Sequence, residues 1–183
     1  MSCDELIREG ERYFFGKDVE KDYAKARESF EAALPLAEKR ADRAYVQIML
    51  GRIALFGAKP DFYDPALAKD CFLRSLQEVP YFRTYHWLGL CYEQISPPDR
   101  EKAYECFRKS APDAVEAFPY PAKKLADCLY YGRGTKKDGA EAAKWYQRAA
   151  ELGDADACFS FADCCFNGDG VEKDDPKALE YIR

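Results

Sequence analysis

The sequence predicts an all-α chain built from about five helix–turn–helix repeats. Three observations carry this expectation. An anchor position held by Gly16, Gly57, Ile95, Gly132 and Gly168 recurs at intervals of 41, 38, 37 and 36 residues, the range of two-helix repeats. After each anchor an Asp (Asp22, Asp64, Asp99, Asp138, Asp174) opens a stretch with apolar residues at helical spacing. Before each anchor, six residues upstream, stands a small residue: Gly10, Gly51, Gly89, Ala126 or Ala162.

Each element follows from these positions. Helix A runs up to the anchor, and its small residue lets a partner helix approach closely. The Gly turn then reverses the chain. Helix B starts at the Asp, whose carboxylate accepts a hydrogen bond from an orphan N–H of the first turn. Pro65 and Pro176 follow two of these Asp residues, where a missing N–H costs nothing. An Ala stands four residues after each Asp (Ala26, Ala68, Ala103, Ala142, Ala178). The pairs Ser29/Phe30, Cys71/Phe72, Cys106/Phe107, Trp145/Tyr146 and Tyr181/Ile182 come next and complete a buried helix B face. The chain is thus expected to be a single repeat domain over 1–183, with units near 4–40, 41–80, 81–112, 117–153 and 154–183. Pro35 and the stretch "APDAVEAFPYPA" (111–122) lengthen two junctions. The fifth unit stops after ten residues counted from the Asp that opens its helix B, so further residues or another chain are expected to cover that end.

The motifs resemble the Sel-one-like repeat, a relative of the tetratricopeptide repeat. "LADCLYYGRGTKKDGAEAAKWYQRAAELGDADA" (125–157) is similar to that family's pattern of Gly-x-Gly, Asp, Ala, an aromatic pair, Ala-Ala and Gly. "FADCCFNGDGVEKDDPKALEYI" (161–182) matches the turn with Gly168, Gly170 and Val171. Unit one has Asp18 in place of the second Gly, and unit three, "LGLCYEQISPPDREKAYECFRKSA", has no turn Gly. The resemblance implies a right-handed α-solenoid (an α/α superhelix) and an adaptor role, without naming a partner.

The same frame decides between readings of the apparent ligand motifs. "GRGTKKDG" follows a helix and lacks the Lys-Ser/Thr ending of a phosphate loop. "NGDGVEKDD" has Val171 and Glu172 where a calcium loop needs an oxygen ligand and a Gly. Both read as turns with Gly in the left-handed conformation. Acidic and basic residues interleave to a net charge of −5, which argues against nucleic-acid binding. No apolar run is long enough to span a membrane, and "MSCDELIREGERYF" has no apolar signal region, so a cytoplasmic location is expected.

Eight cysteines in such a chain are expected to be reduced. Cys91, Cys128 and Cys164 share one helix A position, and Cys71 and Cys106 share one helix B position, so they read as small packing residues. The alternative is a cysteine-rich secreted member with disulfides. There is no Cys-x-x-Cys, and His86 is the only histidine, so neither a zinc set nor a catalytic triad assembles on the page. No enzyme activity, cofactor or metal is implied.

What remains is a binding surface. By resemblance to tetratricopeptide repeats, helix A lines the concave face. The inward positions in the middle and later units are Met49, Arg52, His86, Trp87, Leu90, Lys123, Lys124, Asp127, Phe159 and Asp163, with Tyr130 and Tyr131 further along. Trp, Tyr and Arg are the residue types of interface hot spots. Lys123 and Lys124 read as a positive spot for an acidic peptide or C-terminal carboxylate. The expected function is a non-enzymatic adaptor that binds a protein or peptide partner. The alternative is a structural module that self-associates through its uncapped C-terminal repeat.

Overall fold

The computed structural model describes residues 1–57 and 62–182. Among them are ten α-helices and no strand: α1 Cys3–Phe15, α2 Tyr23–Ala33, α3 Arg40–Phe56, α4 Pro65–Glu78, α5 Phe82–Gln94, α6 Arg100–Ser110, α7 Tyr120–Tyr131, α8 Gly139–Glu151, α9 Ala155–Asn167 and α10 Asp175–Tyr181. Odd-numbered helices are the A helices of the sequence reading and even-numbered ones are the B helices. The helices gather into two compact units, Met1–Ser96 and Pro97–Arg183. In the first, α1 packs on α2, α2 on α3, α3 on α4 and α4 on α5. In the second, the packed pairs are α6 on α7, α7 on α8, α8 on α9 and α9 on α10.

All five helix B starts are capped as the sequence predicts. Asp22 accepts from the Lys25 N–H at 3.0 Å, Asp64 from Ala66 and Leu67 at 3.0 and 2.9 Å, and Asp99 from Lys102 at 3.1 Å. Asp138 accepts from Glu141 and Asp174 from Lys177, each at 2.9 Å. Each such cap contributes about 1 kcal/mol. Pro65 is the first residue of α4, whereas Pro176 is the second of α10. Two A helices are capped as well: Ser2 and Glu5 form a reciprocal capping box on α1, and buried Asp154 accepts from Ala157 at 2.9 Å on α9.

The core bears out the first three helix B pairs in full, whereas Trp145 and Tyr181 are only half-buried. Phe30, Phe72, Phe107 and Tyr146 are buried side chains at equivalent positions. The small residue on helix A exists to receive them. A Cβ on Gly10 would lie 2.8 Å from the Phe30 ring, and one on Gly51 would lie 2.7 Å from the Phe72 ring. Ile182, the last paired position, is instead exposed, because it lies past the end of α10.

The turn has two glycine positions with different jobs. Gly16, Gly132 and Gly168 end helix A in the left-handed conformation, with φ of 71°, 68° and 75°. Gly57 holds the same anchor at φ −59°, so its helix ends differently. The second glycine is about contact. A Cβ on Gly134 would fall 1.9 Å from the Arg100 carbonyl oxygen, and one on Gly170 would fall 2.1 Å from the Gly139 carbonyl. These turns press backbone to backbone on the start of the preceding helix B. Asp18, at the same offset in the first turn, adopts φ 58°, a conformation that Asp tolerates better than most residues.

Candidate functional site

In the first unit the A helices meet around Arg52. Its guanidinium carbon stands 4.7 Å from the centre of the Phe14 ring, 5.7 Å from Phe15 and 5.1 Å from Trp87. Phe14 and Phe15 end α1, Arg52 belongs to α3, and Trp87 to α5, so three successive A helices contribute to one cluster. Arg52 Nη1 donates to Met49 Sδ at 3.5 Å, and its Nε is buried without a hydrogen-bond partner. Burial disfavours its charged form and pulls its pKa down, and the like charge of Arg83 adds to this. Beside the cluster the Tyr45 hydroxyl donates to Glu11. Burial, then that carboxylate, drive the Tyr45 phenol well above its ordinary value.

The sequence-predicted residues divide by burial. Met49, 1% exposed, belongs to the core with Phe14, Phe30, Val46 and Ile53, so its assignment as a partner contact is corrected. Trp87, 9% exposed, stacks on Phe72 with ring centroids 5.9 Å apart. Its expected role as a partner contact is corrected too: it is a wall of the cluster, held by the core. His86 is buried within α5, so its assignment as a partner contact is corrected as well, and Leu90 is half-buried. Exposed apolar surface comes from Phe15 and Phe56, 40% and 47% exposed. The sequence reading passed over Phe14 and Phe15. The signal was present, since they precede Gly16 as Tyr130 and Tyr131 precede Gly132.

In the second unit the inward residues form a chain of hydrogen bonds. Lys123 lies 3.2 Å from Asp127 Oδ2, and the Tyr146 hydroxyl donates to Asp127 Oδ1 at 2.8 Å. Tyr146 replaces the Phe of other repeats, and Asp127 supplies the partner its buried hydroxyl requires. Burial, then the Asp127 charge, raise the Tyr146 phenol far above its ordinary value. Lys123 is therefore paired inside its own repeat, and Lys124 Nζ stands 5.7 Å from the centre of the Phe107 ring. The Tyr130 hydroxyl donates to Asp169 at 2.8 Å, tying α7 to the turn after α9, and this bond with burial pushes its pKa up to about 12. Tyr131 and Phe159, 52% and 61% exposed, face solvent, as does Asp163. Arg133 stands 4.6 Å over the Tyr131 ring.

The cysteines at equivalent positions are packing residues. Cys91, Cys128 and Cys164 on A helices and Cys71 and Cys106 on B helices are all buried, as is Cys165, while Cys3 and Cys158 are half-exposed. Burial pushes the Cys106 thiol up to about 12 and Cys164 to about 11, the opposite of an activated nucleophile. Among the described residues no helix is long and apolar enough to cross a membrane.

The Sel1 repeat family profile matches residues 10–33, 84–111, 122–154 and 155–183. No curated protein matches the chain. Solved structures that resemble it include c5321, a protective antigen of uropathogenic Escherichia coli strains displaying an SLR fold. The two share 25% identity at a TM-score of 0.82, over 98% of this chain and 37% of that one. A Sel1 repeat protein from Oxalobacter formigenes aligns at 20% identity and TM-score 0.75, over 98% of this chain and 69% of that one. Pseudomonas aeruginosa pilF aligns at 18% identity and TM-score 0.68, over 98% of this chain and 72% of that one. The chain thus spans just over a third of the length of the first of these.

Proposed function

Because the chain belongs to the Sel1 repeat family, an all-α solenoid-repeat fold commonly used for protein interaction, we propose that it is a non-enzymatic, cytoplasmic adaptor that holds a peptide or protein partner on its A helices. One observation carries the reading. Arg52 is sandwiched by rings from α1 and α5, with exposed Phe15 and Phe56 alongside. Aromatic rings and arginine with little rotamer entropy left to lose are the side chains that dominate interfaces. The second unit offers the same chemistry in the exposed rings of Tyr131 and Phe159.

The test is affinity capture from native lysate with the full chain, followed by direct binding of the recovered partner. Phe15→Ser with Phe56→Ser, and Tyr131→Ala with Phe159→Ala, are each expected to weaken that binding while circular dichroism stays unchanged. Partner binding that is indifferent to both pairs would refute a helix A surface.

A second reading is self-association through the last repeat, favoured by Leu179 and Ile182, which are exposed apolar residues on and beside α10. Light scattering across a concentration series decides it: a mass that does not change with concentration and equals one chain removes the option.

A further inference from the structure

We infer that Arg52 is the anchor for a single carboxylate of the bound peptide, an acidic side chain flanked by apolar ones. This rests on the helix A reading and names the chemistry of its partner.

Arg52 differs from arginines whose charge is met within the fold. Arg43 is held by Glu78 at 3.0 Å, Arg27 by Glu31 at 2.7 Å and Arg108 by Glu105 at 2.8 Å. Among the described residues Arg52 has no carboxylate partner. Its one polar contact among the described residues is the Met49 sulfur at 3.5 Å, a weak acceptor, and its Nε has none there. Glu11 on α1 accepts from the Tyr45 hydroxyl and forms no ion pair with Arg52. A half-buried guanidinium without an anion is costly, and the like charge of Arg83 makes it more so.

The arrangement suits an incoming carboxylate. The Arg52 guanidinium carbon lies over the rings of Phe14 and Trp87, 4.7 and 5.1 Å from their centres. The fork is thereby ordered before binding, and a planar carboxylate can accept two parallel N–H bonds from it. Phe56 lies one turn along α3 from Arg52, and Phe15 lies across on α1. Both are exposed and would cover the residues flanking the acid. A net charge of −5 opposes a polyanion such as a nucleic acid, and a lone acid between apolar residues carries little of that repulsion.

The experiment is selection of a random dodecapeptide phage library on the full chain, followed by calorimetry with synthesised winners. The expected outcome is a consensus with one fixed Glu or Asp between apolar positions. Changing that acid to its amide should weaken binding by about tenfold to hundredfold. Arg52→Met, which keeps the stem packing, should cost the same, and the two changes together should cost no more than either alone. Arg52→Lys should restore part of the loss. A merely structural role would weaken acid and amide peptides equally. Winners that map to the A helices but show no acid dependence overturn the anchor and leave the helix A reading standing. A library that yields no binder on the A helices overturns both.

Discussion

Replacing Gly134 by alanine places a methyl carbon 1.9 Å from the Arg100 carbonyl oxygen and 2.4 Å from its carbon. Neither is the movable end of a side chain, so the turn and the start of α6 must separate by more than an ångström. The backbone at this position also has φ 75°, which costs a residue with a Cβ about 1–2 kcal/mol. Forcing the packed surfaces apart adds about 1–3 kcal/mol, for a total of about 2–5 kcal/mol. Gly153 separates the two contributions. It has φ 90°, yet a Cβ there meets nothing within 4 Å, so Gly153→Ala should cost the conformational part alone, about 1–2 kcal/mol. Urea denaturation followed by far-UV circular dichroism measures both. Gly170→Ala, which would meet the Gly139 carbonyl at 2.1 Å, should behave like Gly134→Ala. Equal midpoint shifts for Gly134→Ala and Gly153→Ala would refute the close-approach argument and leave only the dihedral preference.

Three further outcomes follow from the packing. Trp87→Ala should lower stability by about 3–5 kcal/mol because the ring is stacked in the core, whereas Tyr131→Ala should stay within about 0.5 kcal/mol in the same denaturation assay. A thiol reagent on the native chain should modify Cys3 and Cys158 first and the buried cysteines slowly, with all eight reacting in denaturant; fewer than eight would show a disulfide. Tyr146 keeps its proton in the folded state to a higher pH than in the unfolded chain, so its contribution is full below the unfolded value of about 10 and is lost as pH rises beyond it. Tyr146→Phe should therefore flatten the fall in stability above about pH 10, measured by urea midpoints across that range; an unchanged slope would contradict the raised pKa that burial and the Asp127 charge give Tyr146.

Much of the repeat was legible because its marks are local. Asp22, Asp64, Asp99, Asp138 and Asp174 cap helices through bonds to residues two or three positions on, so sequence spacing is enough to find them. The candidate surface was legible only by position. Lys123 and Arg52 looked alike as cations on an inward face, but one is neutralised by Asp127 and the other is left to aromatic rings. That difference depends on a neighbour's side chain, and no periodicity carries it. Phe14 and Phe15 hold the same offset from Gly16 as Tyr130 and Tyr131 hold from Gly132, so their place on this face was legible from the period.

By itself, then, the sequence determined the helices, their caps, the turn glycines and the family resemblance, since each is written in residues within one turn or one period of each other. Tertiary structure decided which inward residues are surface and which are core. Met49 went to the core because Phe14, Phe30, Val46 and Ile53 close around it, Trp87 because its ring stacks on Phe72, and Arg52 met aromatic rings rather than a carboxylate among the described residues. Those outcomes turn on which side chains from distant parts of the chain arrive in the same few ångströms, a matter of packing rather than of pattern.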